Sequence, residues 1–199
     1  MRPLSTCWRL AFGALALWTM GFCFVARHPS VDAVDFFSYF TVLSNVIGGV
    51  ALLAGAVPGW RDTAWADGLR GGAALYLVIT GAVYALVLDG PVTTWAGWVQ
   101  HRIMPVVAPL DWLALAPRRL PARRTLACWL AFPLLYLVYV LAHGAATRWY
   151  PYPFLDVRRH GYEIVTGYTV GIGAAFVTVA ALLLGGAGLR RRAPPRGTP

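Results

Sequence analysis

Residues 35–57 read DFFSYFTVLSNVIGGVALLAGAV. As a helix rising 1.5 Å per residue, a stretch of this length covers the roughly 30 Å of hydrocarbon in a bilayer. Yet Ser38, Thr41, Ser44 and Asn45 all fall within about two of its turns. Thr41 and Asn45 stand four residues apart and share a face, with Ser38, Gly48 and Gly49 close to the same stripe. An apolar helix with such a stripe turns it toward other helices. Either it packs there through small residues, or it contributes to a buried polar site.

Five further apolar runs flank this one. The six segments lie at about 8–26, 36–57, 70–88, 95–116, 125–146 and 162–186, each near the ~20 residues a crossing needs. Turn-rich separators divide them: Pro58-Gly59, Asp89-Gly90-Pro91, Pro117 to Pro121, and Tyr150-Pro151-Tyr152-Pro153. Backbone groups cannot be left unpaired in lipid, so the runs are read as helices. The expected fold is all-α, a polytopic bundle of six transmembrane helices over residues 1–189 with no internal repeat. The tail 190–199, RRRAPPRGTP, is Pro-rich and basic and reads as disordered.

Composition agrees with a membrane protein. Of 199 residues, 58% are hydrophobic and 13% charged, about half the usual charged share of a soluble domain. The net charge of +9 invites a nucleic-acid reading, but the arginines sit in short clusters at the ends of apolar runs. That is a topology signal, and no nucleic-acid partner is expected. There is no lysine, which removes Schiff-base chemistry and Walker-type phosphate loops. Cys7, Cys23 and Cys128 lie in or beside apolar runs without CxxC spacing, so neither a zinc site nor a disulfide framework is expected. No cofactor or metal is called for.

Arginine positions orient the bundle. Arg2, Arg9, Arg61, Arg70, Arg118, Arg119, Arg123, Arg124, Arg190, Arg191, Arg192 and Arg196 fall on one side; Arg27, Arg148, Arg158 and Arg159 fall on the other. The bias puts both termini in the cytoplasm. The first apolar run follows Arg2 and Arg9 and ends at Arg27-His28-Pro29 without a small-x-small cleavage site, so it is read as a retained helix. The location expected is the bacterial inner membrane, with lipids as the immediate partners.

Topology gives the polar residues a depth. Thr41 lies about five residues into the second helix, roughly 8 Å from its outer end, and His101 lies at similar depth on the fourth. His143 near the outer end of the fifth helix and Glu163 near the outer start of the sixth would join them. Arg102 either shares this site or reaches the outer interface with its charge. Asp111 lies deeper in the fourth helix, where pairing with Arg118 or Arg119 competes with a role in proton relay. The outer loop with Trp149, Tyr150, Tyr152, Pro153 and Asp156 is long enough to fold over the outer mouth as a lid, or to act as an interfacial anchor.

The stretches YFTVLSN, HRIMPVVAPLDWL and WYPYPFLD, in this order and with six spans, resemble the Pr-six-Pr family of bacterial membrane proteins. More distantly the chain is similar to the androgen-induced membrane hydrolases of animals. That resemblance implies hydrolysis of fatty-acid esters of hydroxy fatty acids, with an intramembrane Thr as nucleophile and a His as base. Thr41 and His101 match these positions, and His101 stands ten residues before the acidic Asp111 as a His precedes a Glu in the relatives. A further His of the relatives, one turn earlier, is Trp98 here.

The chemistry is sound in outline, because a threonine hydroxyl becomes a nucleophile when a base within hydrogen-bond reach takes its proton. Asn45 and Arg102 are candidate oxyanion donors. Two other readings use the same residues: a non-catalytic lipid-binding or scaffolding protein, and a small transporter lined by His101, Arg102 and Asp111. The transporter would need a polar ladder through the bundle, whereas the third helix and inner half of the sixth read as almost purely apolar.

Overall fold

The computed structural model describes residues 2–28, 30–114 and 122–192. Among them there is no strand. The chain forms α1 (Arg2–Arg27), α2 (Ala33–Phe37), α3 (Phe40–Ala56), α4 (Ala64–Val83), α5 (Trp95–Trp98), α6 (Met104–Ala114), α7 (Ala122–Thr147) and α8 (Val157–Arg192). α4 runs on into a π-helical turn, Tyr84–Leu88, and a second π-helical turn, Val99–Ile103, joins α5 to α6. The fold class is therefore all-helical. Four stretches are long and apolar enough to cross a membrane: Pro3–Arg27, Ala64–Leu88, Arg123–Thr147 and Val157–Arg190. Phe40–Ala56 is apolar but shorter.

α4 is the central rod, packed against α3, α6, α7 and α8. Its Gly71 and Gly72 let the Trp129 ring of α7 lie directly against the backbone, where a Cβ at Gly71 would sit 2.0 Å from a ring carbon. The Trp129 indole N–H completes the contact by donating to the Gly68 carbonyl at 2.9 Å. The mainly apolar core between the bundle's two polar ends is filled by Leu52, Leu75, Leu77, Met104 and Trp112, all at most 2% exposed. α7 and α8 bury little of themselves and present apolar faces outward.

Several boundaries depart from the sequence reading. The second apolar run is not one helix, because Tyr39 takes an extended conformation (φ −78°, ψ 124°) between α2 and α3. Arg70, read as a loop charge, lies within α4 and is 3% exposed, and Arg9 is likewise buried in α1. α8 continues through Arg190–Arg192, so the tail does not begin at Arg190. The rest of that tail, and Arg118, Arg119 and the 117–121 separator, lie outside the described residues.

Candidate functional site

The break at Tyr39 creates two backbone groups with no partner in their own helix. Val42 N–H bonds the Tyr39 carbonyl, so the Ser38 carbonyl is released from the helical pattern. The Tyr136 hydroxyl of α7 donates to it at 2.8 Å. Ser38 Oγ donates back to Val34 O and sits 2.7 Å from the Tyr139 hydroxyl. Apolar surroundings make an unmade hydrogen bond costly, so these tyrosines are what permits a break without Gly or Pro. On the other side, the Thr41 amide is one of the orphan donors in the first turn of α3. It donates to the Tyr152 hydroxyl at 3.2 Å, and Thr41 Oγ1 lies 3.4 Å from the same oxygen.

Tyr152 reaches Thr41 from the connection between α7 and α8. A short 3-10 turn, Pro153–Leu155, tucks Phe154 and Leu155 inward, and Tyr152, Phe154 and Leu155 are all buried. Tyr152 stacks on Phe154 at 5.3 Å and meets Tyr39 edge-on. Burial pushes the Tyr152 phenol above its ordinary pKa, so it stays protonated.

Below this cap lies a cavity of about 380 Å³ between α3, α4, α7 and α8. Ile79, Val83, Leu130, Leu137, Ile172 and Phe176 form much of its apolar wall. Thr41, Thr80, Tyr84, Tyr136, Tyr152 and Thr169 are the hydroxyl-bearing residues of the lining. Thr80 is tied to Ser44 at 2.9 Å. Leu134 and Val177 line the cavity yet are 61% and 48% exposed, so its wall between α7 and α8 reaches the outward apolar surface.

His101 sits beside this cavity rather than in its lining. It lies in the Val99–Ile103 π-helical turn, and its ring stacks on Tyr84 at 3.7 Å and 20°. Tyr84 begins the other π-helical turn and does line the cavity. Such π-turns in otherwise α-helical rods occur frequently at functional sites. His101 Nδ1 is buried without a hydrogen-bond partner. Among the described residues, no hydrogen bond joins His101 to Thr41. Asn45 connects their helices instead, donating to the Thr41 carbonyl at 2.9 Å and to the Gln100 carbonyl at 3.5 Å. Its amide donors are thus engaged with backbone, while its Oδ1 is buried and unpartnered.

The remaining predicted residues scatter. Arg102 is exposed, and so is Glu163, which does not join the others. His143 stands 3.6 Å from Asp35, stacked on Tyr139 and edge-on to Trp149. Tyr150 packs against Gly144, where a Cβ would meet its ring at 2.1 Å. Pro153 opens the 3-10 turn, and Asp156 accepts from the Arg158 amide at 3.0 Å. Asp111 is paired at the opposite end of the bundle, with Arg9 and Arg70. Among the described residues, no three His, Cys, Asp or Glu side chains gather as a metal site would require.

Sequence reasoning passed over Thr80, Tyr84 and Tyr136. The signal for the first two was present, because they stand four residues apart within an apolar run and so share one face. No family model, curated protein or solved structure matches this chain.

Proposed function

We propose that this chain is a six-span protein of the bacterial inner membrane, related to the Pr-six-Pr family, that takes a lipid acyl chain from the bilayer into the cavity below Tyr152. The observation that carries the reading is the cavity itself: apolar along its length, with Thr41 in its lining at one end, and bounded by residues that are exposed between α7 and α8. An acyl chain gains little on moving from lipid tails into an apolar cavity, since the two are about equally apolar. Selection for a particular amphiphile then falls to the polar end. The transport reading has no comparable support, because buried Leu52, Leu75, Leu77 and Met104 occupy the layer between Thr41 and Asp111.

The binding reading is tested with a photoactivatable fatty acid in protein purified in detergent, with cross-links mapped by peptide mass spectrometry. Cross-links are expected on α7 and α8 around the cavity. Leu137→Trp, which fills cavity volume, should reduce labelling at least severalfold while the protein keeps its thermal transition. Undiminished labelling in Leu137→Trp, or cross-links spread evenly over the outward faces, would place the lipid elsewhere.

A second reading, hydrolysis of a lipid ester with Thr41 as nucleophile, is favoured by the place of Thr41 in the cavity lining and by the unpartnered His101 Nδ1 behind Tyr84. It requires a base to come within hydrogen-bond reach of Thr41 when substrate is bound. A lipophilic fluorophosphonate should then label the wild type, and both Thr41→Ala and His101→Ala should abolish labelling without unfolding. Absence of labelling in well-folded wild type leaves Thr41 as a binding residue.

A further inference from the structure

The segment that closes the cavity is held in a manner unlike the rest of the bundle. Its ends are the two places near α7 and α8 where the backbone takes positive φ: Arg148 at 63° and Gly161 at 74°. Between them the segment folds on itself, with Arg158 donating to the Arg148 carbonyl at 2.9 Å. Residues 149–155 bury Tyr152, Phe154 and Leu155 against the bundle. Their hydrogen bonding to α1–α6 gathers at the Tyr152 hydroxyl, which Thr41 meets at 3.2 and 3.4 Å. Both are at or beyond the long end of the range for good bonds.

Those two bonds engage the only residue of α3 that lines the cavity with a polar side chain. The Thr41 amide needs an acceptor, because no carbonyl of its own helix is available to it. In the closed structure a phenol oxygen of the same chain supplies one. The head of a lipid whose tail filled the cavity would bring an oxygen to this same end.

We propose that residues 149–155 are a lid, and that the Tyr152 hydroxyl is an internal surrogate for an acceptor oxygen of the bound amphiphile, so that ligand entry must displace Tyr152 from Thr41. The inference rests on the lipid-binding reading above. It assigns Tyr152 a competing role: the residue opposes binding instead of assisting it. Removing its hydroxyl while keeping its ring should make the site easier to fill.

The test uses full-length protein in detergent with Cys7, Cys23 and Cys128 replaced by Ser and Thr41→Cys as reporter, in parallel with proteins that retain Thr41. Two quantities are read with and without Tyr152→Phe: uptake of a pyrene-labelled fatty acid in the proteins with Thr41, and the rate at which N-ethylmaleimide alkylates the reporter thiol. Tyr152→Phe is expected to raise apparent affinity for the probe about fivefold, the size of one ordinary net hydrogen bond, and to speed alkylation. Weaker uptake in Tyr152→Phe would make Tyr152 part of the binding surface and overturn the surrogate role. Unchanged uptake with unchanged alkylation would also overturn it, while leaving lipid binding intact. Faster alkylation with no probe uptake by any protein would support the lid and sink the lipid-binding reading instead. Should Tyr152→Phe fail to fold, Tyr39→Cys with Trp149→Cys, at rings 5.8 Å apart, serves in the same cysteine-free background. A short bis-methanethiosulfonate bridge between them should block uptake of the probe, and reductant should restore it; uptake through the bridged lid would overturn the proposal.

Discussion

The Asp111 carboxylate receives Arg9 Nε on one oxygen at 2.8 Å and Arg70 Nε on the other at 2.7 Å, and its side chain is 2% exposed. Arg70 also donates to Asp67 and to the Asp111 carbonyl, both at 3.0 Å, and Arg9 donates to the Gly55 carbonyl. Two guanidiniums thus meet two carboxylates, and four helices, α1, α3, α4 and α6, are tied at one point. A charge inside a membrane bundle is tolerated when it is paired in this way. Asp111→Asn keeps the shape but leaves two buried cations with one carboxylate. Removing one member of a buried ion-pair group costs about 3–5 kcal/mol, so the thermal transition in detergent should fall sharply or the protein should fail to accumulate. A transition unchanged from wild type would show the cluster to be solvated. Pairing of Asp111 was legible from its place in an apolar run, but the partners were not. Arg9 and Arg70 stand 102 and 41 residues away, and nothing local marks them as its neighbours.

At the scale of elements, the membrane does much of the specifying. Hydrocarbon thickness and the need to pair every backbone group favour helix in each apolar run, so the all-helical class and the four stretches long enough to cross were legible from run length and turn residues. The interruptions within the runs were not. FFSYFT contains neither Gly nor Pro, and the break at Tyr39 depends on hydroxyls delivered by Tyr136 and Tyr152 from another part of the chain. The π-turn at Val99–Ile103 is equally silent in the sequence, although it and Tyr84–Leu88 bring His101 and Tyr84 into their stack. Thr41 and His101 were legible as polar residues at one end of the bundle. Whether they bond each other is a matter of helix rotation, and here rotation gives Thr41 to Tyr152. The closing loop follows the same pattern: its aromatics and prolines were visible, while its burial rests on Tyr39, Gly144 and the start of α3.

At the scale of the whole molecule, the start of α1 and the end of α8 both lie at the Asp111 end of the bundle. Arg9, near the N-terminus, pairs with Asp111, and Arg190, near the C-terminus, donates to the Leu113 carbonyl at 2.7 Å. Ends on one side require an even number of crossings. The six rods meet that condition if α2–α3 and α5–α6 span as well as the four long stretches. Leaving aside Arg102 within a span, the arginines from Arg27 through Arg190 that stand outside the buried cluster and the 115–121 stretch divide evenly: Arg61, Arg123, Arg124 and Arg190 at the Asp111 end against Arg27, Arg148, Arg158 and Arg159 at the Thr41 end. The bias comes from Arg2, from Arg118 and Arg119 in the sequence between α6 and α7, and from the arginines after Arg190. Cytoplasmic loops carry the excess of positive charge, and the sequence continues past Arg190 with Arg191, Arg192 and Arg196. A green fluorescent protein fused after Pro199 should therefore fluoresce, and alkaline phosphatase at the same position should be inactive. Phosphatase inserted at Gly90, in the connection between α4 and α5, should be active. The pair of positions discriminates more than either alone. An active phosphatase at Pro199 with an inactive one at Gly90 would invert the protein, moving the Tyr152 lid to the cytoplasmic face. Activity at both would mean an even number of crossings between Gly90 and the C-terminus, with one of α5–α6, α7 or α8 failing to span.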